Sequence, residues 1–272
     1  MKTILVPTDF SNNAYKAITY ACNLALKYKS KIILMNSFVI PPSSSMVMIN
    51  FTDLLEGDSK KGLDTELVKI RNQSNFDSID IELLSSFGSI TEAIKKAENA
   101  NEIDLIIMGT TGASDLSNRL FGSNTTNVIK NATQPILVIP KGSEYSGWKK
   151  ITFASNIQNS KNDCPFKPLK ELITLSNSTL NILSVVEDAK TLDKTIIENR
   201  IAAKLQGVDH TINIVENDSV SDGIIDFINK NETDLLVLVK KSYGFIEGLL
   251  HTSVTKKLAL HSDKPILLYS EC

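Results

Sequence analysis

The chain has 272 residues, 42% of them hydrophobic and 22% charged, and a formal net charge of -2. That composition supports the buried core of one large or two ordinary domains, and the charge gives no support to a general nucleic-acid-binding surface. No apolar run approaches the ~20 residues of a membrane helix, and Cys22, Cys164 and Cys272 are odd in number and far apart, without pairing pattern or zinc spacing, so a reducing compartment is expected.

The sequence opens on a short apolar run, Thr3 to Pro7, which reads as a buried strand. No secretory h-region precedes it, so the cytoplasm is the expected location. Thr8-Asp9-Phe10-Ser11 ends the strand, and Ser11 suits the N-cap of a helix running to about Tyr28. Ala14, Ala17, Ile18, Ala21, Leu24, Ala25 and Tyr28 fall on one face of that helix. Lys31 to Phe38 is a second strand. Val39 to Gly57, with Pro41-Pro42 and three serines, reads as a loop and irregular insertion. Ser59 to Asn72 looks helical and Ile79 to Phe87 strand-like. Ser89-Ile90-Thr91-Glu92 matches a capping box, followed by Ile90, Ala93, Ile94 and Ala97 at helical spacing. Leu105 to Met108 is a fourth strand, Asn124 to Lys130 a short helix and Pro135 to Ile139 a fifth strand.

Lys141 to Trp148 is the one clear break, and beyond it the order repeats. Strands are expected at 151–155, 179–186, 211–215, 235–239 and 265–269, with helices at 166–175, at 192–205 and after Asp218. Ser89 and Ser219, Asp104 and Asp234, and Pro135 and Pro265 are all 130 residues apart. A constant offset argues for internal duplication, giving two α/β domains at 1–141 and 149–272. Alternating strands and helices imply open parallel sheets with helices on both faces.

Between the fourth strand and the short helix lies Gly109 to Ser123, GTTGASDLSNRLFGS. A strand, a glycine-bearing loop and a helix start suit an anion, because backbone N–H groups and the helix dipole converge there. Asp9 lines the same crevice if the first and fourth strands are neighbours. Asp9 could equally do no more than tie down a turn, and the glycines could simply shape one. There is no Walker A sequence, no G-x-G-x-x-G loop, and no nucleophile elbow or zinc-protease motif. His210, His251 and His261 show no metal spacing.

Gly109, Gly112, Gly122 and Ser123 meet the pattern G-x2-G-x9-G-[ST] in full. With Val6 to Ser11 (VPTDFS) and Pro135 to Pro140 (PILVIP), they make the chain resemble the universal stress proteins, as a tandem pair. The resemblance implies strand order 3-2-1-4-5 in each half, an adenine nucleotide alpha hydrolase-like fold. It also implies a site for ATP or AMP, with or without Mg. Carried over by position, Asp9 meets the adenine–ribose end, and Gly109, Gly112, Gly122, Ser123 and Thr125 surround ribose and phosphates. Backbone at Asn36 and Ser37 reaches the base. The family's pairing through its fifth strand implies that the two halves pair within the chain. A homodimer or a protein partner is compatible with the sequence, and neither nucleic acid nor membrane is expected as one.

In the second half the offset places Val239, Ser242 and Thr252 where the glycines stood, and Asn156 takes the place of Asp9. Only Ser253 and Thr255 match Ser123 and Thr125. The expectation is a regulatory protein that binds nucleotide in its N-terminal half. A slow ATPase or nucleotide-dependent enzyme on the same fold, and a ligand-free structural protein, are the alternatives.

Overall fold

The computed structural model describes residues 1–40, 48–110, 122–155, 166–188, 194–240 and 263–270. The chain divides into two compact units, Met1–Tyr145 and Ser146–Cys272.

The first unit runs β1 (Thr3–Pro7), α1 (Asn12–Tyr28), β2 (Lys31–Phe38), α2 (Met48–Arg71), β3 (Ile81–Phe87), α3 (Ile90–Ala100), β4 (Leu105–Gly109), α4 (Ser123–Asn131) and β5 (Ile136–Ile139). All strand pairs are parallel, in the order β3-β2-β1-β4-β5. Parallel strands covered on both faces must be apolar throughout. Accordingly Ile4, Leu5, Val6, Ile33, Leu34, Ile106 and Leu137 are fully buried. Each such side chain contributes about 1.5–3 kcal/mol of apolar burial. Helix α1 starts where Ser11 accepts the N–H of Ala14, and it stops at Lys29 in the left-handed region. Its buried face carries the expected apolar residues except Tyr28, which is half-buried. The capping box of α3 forms as read, with Ser89 and Glu92 satisfying each other's backbone donors.

One reading needs correction, and the break between the halves gains detail. Helix α2 begins at Met48, well inside the segment read as irregular. Gly57 and a diffuse apolar pattern hid it, but a Cβ at Gly57 would meet nothing within 4 Å, so the helix passes through that glycine without a packing conflict. Pro41 to Ser45 lie outside the described residues. The break at Lys141 to Trp148 is also less open than its composition suggests. Ser143 is buried, and the Tyr145 ring stands edge-on to Tyr20 with centroids 5.2 Å apart. Lys16 Nζ donates to the Lys141 carbonyl, which ties the start of the segment to α1.

The second unit runs β6 (Lys150–Ala154), α5 (Phe166–Ser176), β7 (Thr179–Val186), α6 (Lys194–Lys204), β8 (His210–Glu216), α7 (Val220–Lys230), β9 (Leu235–Lys240) and β10 (Ile266–Ser270). Its order, β8-β7-β6-β9-β10, again all parallel, repeats the first. The repetition extends to single atoms. The Asp104 carboxylate accepts the N–H groups of Lys2 and Thr3, and the Asp234 carboxylate those of Lys149 and Lys150. Ser219 caps α7 as Ser89 caps α3. Ile106 donates to the Pro135 carbonyl and Leu236 to that of Pro265.

Candidate functional site

In the first unit the winding reverses between β1 and β4, and a crevice opens beyond their C-terminal ends, as open parallel sheets dictate. It encloses about 540 Å³ of space including its open mouth. Thr8, Asp9, Asn36, Ser37, Gly109 and Thr125 line it, with Ile90 and Asn124 at the starts of α3 and α4.

The floor is a knotted turn. Thr8 donates its N–H to the Met35 carbonyl at 2.8 Å, and its own carbonyl accepts from Asn36 Nδ2 at 2.8 Å, which locks the end of β1 to β2. Thr8 Oγ1 then accepts the N–H of Phe10 at 3.0 Å, and Asp9 Oδ1 that of Ser11 at 3.1 Å. Phe10 sits at φ +65°, a region that bulky residues seldom occupy. Asp9 therefore ties down the turn, as its residue type allowed, and the exposed residue also lines the crevice.

The glycine loop is anchored at both ends. Gly109 lies against α1: a Cβ there would fall 3.0 Å from Asn13 Nδ2 and 3.1 Å from the Asn13 carbonyl oxygen. Its smallness serves strand–helix packing first. Thr125, 3% exposed, donates its hydroxyl to the Gly109 carbonyl at 3.0 Å. That hydrogen is committed to β4, and the side chain braces α4 against it. Gly122 donates its N–H to the Thr110 carbonyl at 2.8 Å, closing the loop at its base.

Three helices begin around the crevice. Serines cap α1 and α3, but α4 starts at Gly122 with no side-chain cap. Gly122 has φ -57° and ψ 159°, a conformation open to any residue. The backbone does not demand glycine there, and a serine would cap better by only a few tenths of a kcal/mol. Glycine leaves the first N–H groups of α4 without a side-chain acceptor at the cap position. Among the described residues lining the crevice there is no lysine or arginine.

Asp9, Ser37, Gly109 and Thr125 thus meet in one crevice. Gly122 and Ser123 stand at the start of α4, and Ser123 is exposed beside the lining rather than in it. Gly112 lies outside the described residues. Sequence reasoning missed the Asn36 side chain, Asn124 and the seat of Gly109 on Asn13. The first two carry a signal: an Asn in an apolar strand, and a polar residue just past a helix start. In the second unit Val239 pairs with Tyr269 as Gly109 pairs with Ile139, which bears out the alignment at that position. Asn156, Ser242, Thr252, Ser253 and Thr255 lie outside the described residues, as do Cys164, Cys272, His251 and His261. His210 Nδ1 lies 2.8 Å from the Val208 carbonyl on β8. Burial pushes the Cys22 thiol up to about 12, which leaves it unreactive.

The repeated 3-2-1-4-5 order with a crevice at the β1/β4 reversal defines a tandem α/β protein of the nucleotide alpha hydrolase-like fold. The model of the universal stress protein family matches residues 1–140 and 171–270, and the chain belongs to that family. It is 28% identical to Universal stress protein MJ0531 of Methanocaldococcus jannaschii over 140 residues, 52% of this chain and 82% of that protein. It is 29% identical to Universal stress protein G of Salmonella typhimurium over 143 residues, 51% of this chain and 98% of that one. The crystal structure of a universal stress protein from Archaeoglobus fulgidus superposes with a TM-score of 0.74 at 19% identity, over 98% of each chain.

Proposed function

We propose that the first unit binds an adenine nucleotide, ATP or AMP, and that the protein is a regulatory binder whose signal is occupancy. The observation that carries this is the start of α4. A helix beside the crevice begins on a glycine that its backbone conformation does not require, and its first N–H groups have no side-chain cap. An anion is the ligand such a helix start favours. The phosphates meet the N–H groups of Ser123 and Asn124. Asp9 and Asn36 lie on the side where ribose and base have polar partners to find. Val239 at the position of Gly109 supports one such site per chain, in the first unit.

Nucleotide released from the purified protein, identified and counted by mass spectrometry, is the direct test. One adenine nucleotide per chain is expected, and two per chain would overturn the asymmetry. Gly122→Val keeps an allowed backbone but sets a branched side chain over the N–H groups. Calorimetry should show at least a tenfold loss of affinity, about 1.4 kcal/mol, and unchanged affinity would sink the proposal.

A further inference from the structure

Helix α2 carries a glycine, Gly62, that the sequence pattern does not explain and the structure does. A Cβ built on Gly62 would lie 2.4 Å from Phe10 Cζ and 2.6 Å from Cε2. The tip of the Phe10 ring is therefore seated on bare helix backbone. Phe10 is also the residue held at φ +65° between Asp9 and Ser11. A bulky side chain in that region persists only where its surroundings over-determine it. Here they do so from two sides: the N–H of Phe10 is held by Thr8 Oγ1 and its ring by Gly62. The next N–H, on Ser11, closes on Asp9 Oδ1. Gly57, on the same helix, has nothing within 4 Å of its Cβ position. The two glycines of α2 are thus unlike, and only one has a reason to be glycine.

We propose that Gly62 is a positioning residue for the crevice: by receiving the Phe10 ring it holds the left-handed turn and so sets the direction of the Asp9 carboxylate. The local part of this claim is independent of any ligand. Its consequence for affinity rests on the nucleotide reading above.

The test uses the full chain in four forms: wild type, Gly57→Ala, Gly62→Ala, and Gly62→Ala combined with Phe10→Leu. Both alanines raise helix propensity equally, so only the seat of the ring differs. Amide resonances and hydrogen exchange of Phe10 and Ser11 are read by NMR. Gly62→Ala should move both resonances and raise their exchange by about tenfold or more, Gly57→Ala should leave them in place, and the shorter leucine should restore them. Unmoved Phe10 and Ser11 amides in Gly62→Ala, or changes no larger there than across the whole sheet, would overturn the proposal. Should Gly62→Ala fail to fold, Phe10→Leu alone empties the seat and must loosen the same two amides. ATP titration is the separate arm. A wild type that does not bind ATP or AMP refutes the nucleotide reading and leaves the amides to decide this one. A wild type that binds, with Gly62→Ala binding equally well, refutes the positioning role alone.

Discussion

Gly109 and Asn13 approach so closely that a methyl group on the glycine would stand 3.1 Å from the asparagine carbonyl oxygen and 3.2 Å from its Cγ. The carbonyl belongs to helix α1 and cannot yield without moving the helix. Gly109→Ala should therefore destabilise the first unit by about 1–3 kcal/mol through overpacking, in spite of the entropy it removes from the unfolded chain. Urea unfolding followed by circular dichroism measures this, and an unchanged or raised midpoint would contradict it.

Asp104 and Asp234 hold the first strands of their units by the same pair of backbone N–H groups. Removing either carboxylate leaves two donors that water reaches, so the cost is that of net hydrogen bonds rather than of buried orphans. Asp104→Ala and Asp234→Ala should each cost about 1–2 kcal/mol. Hydrogen exchange should localise each effect to β1 in the first variant and to β6 in the second. A large cost in one and none in the other would break the equivalence of the two halves.

Those aspartates also show what was legible beforehand. The constant offset rested on serine, aspartate and proline, and each turned out to have the same structural duty in both halves: a local cap from the serine, and from the aspartate and proline a clasp and a carbonyl that meet strands distant in sequence. Local duties are written in short sequence patterns, which is why the capping box and the succession of strands and helices could be read, whereas the strand order came only with the family resemblance. Contacts between distant segments are not. Nothing near Gly109 announces Asn13, and nothing near Gly62 announces Phe10, because each glycine answers to a side chain or backbone brought in by the fold. Met48 to Gly57 was missed for another reason: helix α2 has a weakly segregated apolar face, and its glycine reads as a stop where it is only a gap.

The capping box gives a pH dependence. Hydrogen bonds from the Ser89 N–H and hydroxyl hold the exposed Glu92 carboxyl below its usual 4.5. Its folded value lies under its unfolded one, so the stabilisation is complete above pH 4.5 and is lost as pH falls through the lower folded value. The stability difference between wild type and Glu92→Ala should be constant near neutral pH and shrink below 4.5. A difference that grows in acid would reverse the assignment.

Tyr145 packs edge-on against Tyr20, and burial raises both Tyr28 and Tyr145 above the usual tyrosine range. Tyr145→Ala should free the preceding segment from α1 at a cost of about 2–3 kcal/mol. Trypsin should then cut after Lys141 several-fold faster than in wild type. Equal cleavage rates would mean that Lys16 and Ser143 suffice to hold it.

A helix that begins on glycine depends on something else for its first hydrogen bonds. Serine caps are built into α1 and α3 and are present whatever the protein meets, whereas α4 has no side-chain cap. On the nucleotide reading proposed above, a bound phosphate would supply that cap and firm the turn that Thr125 already ties to β4. Occupancy would then be registered in the first turn of a helix, with no second conformation of the sheet required.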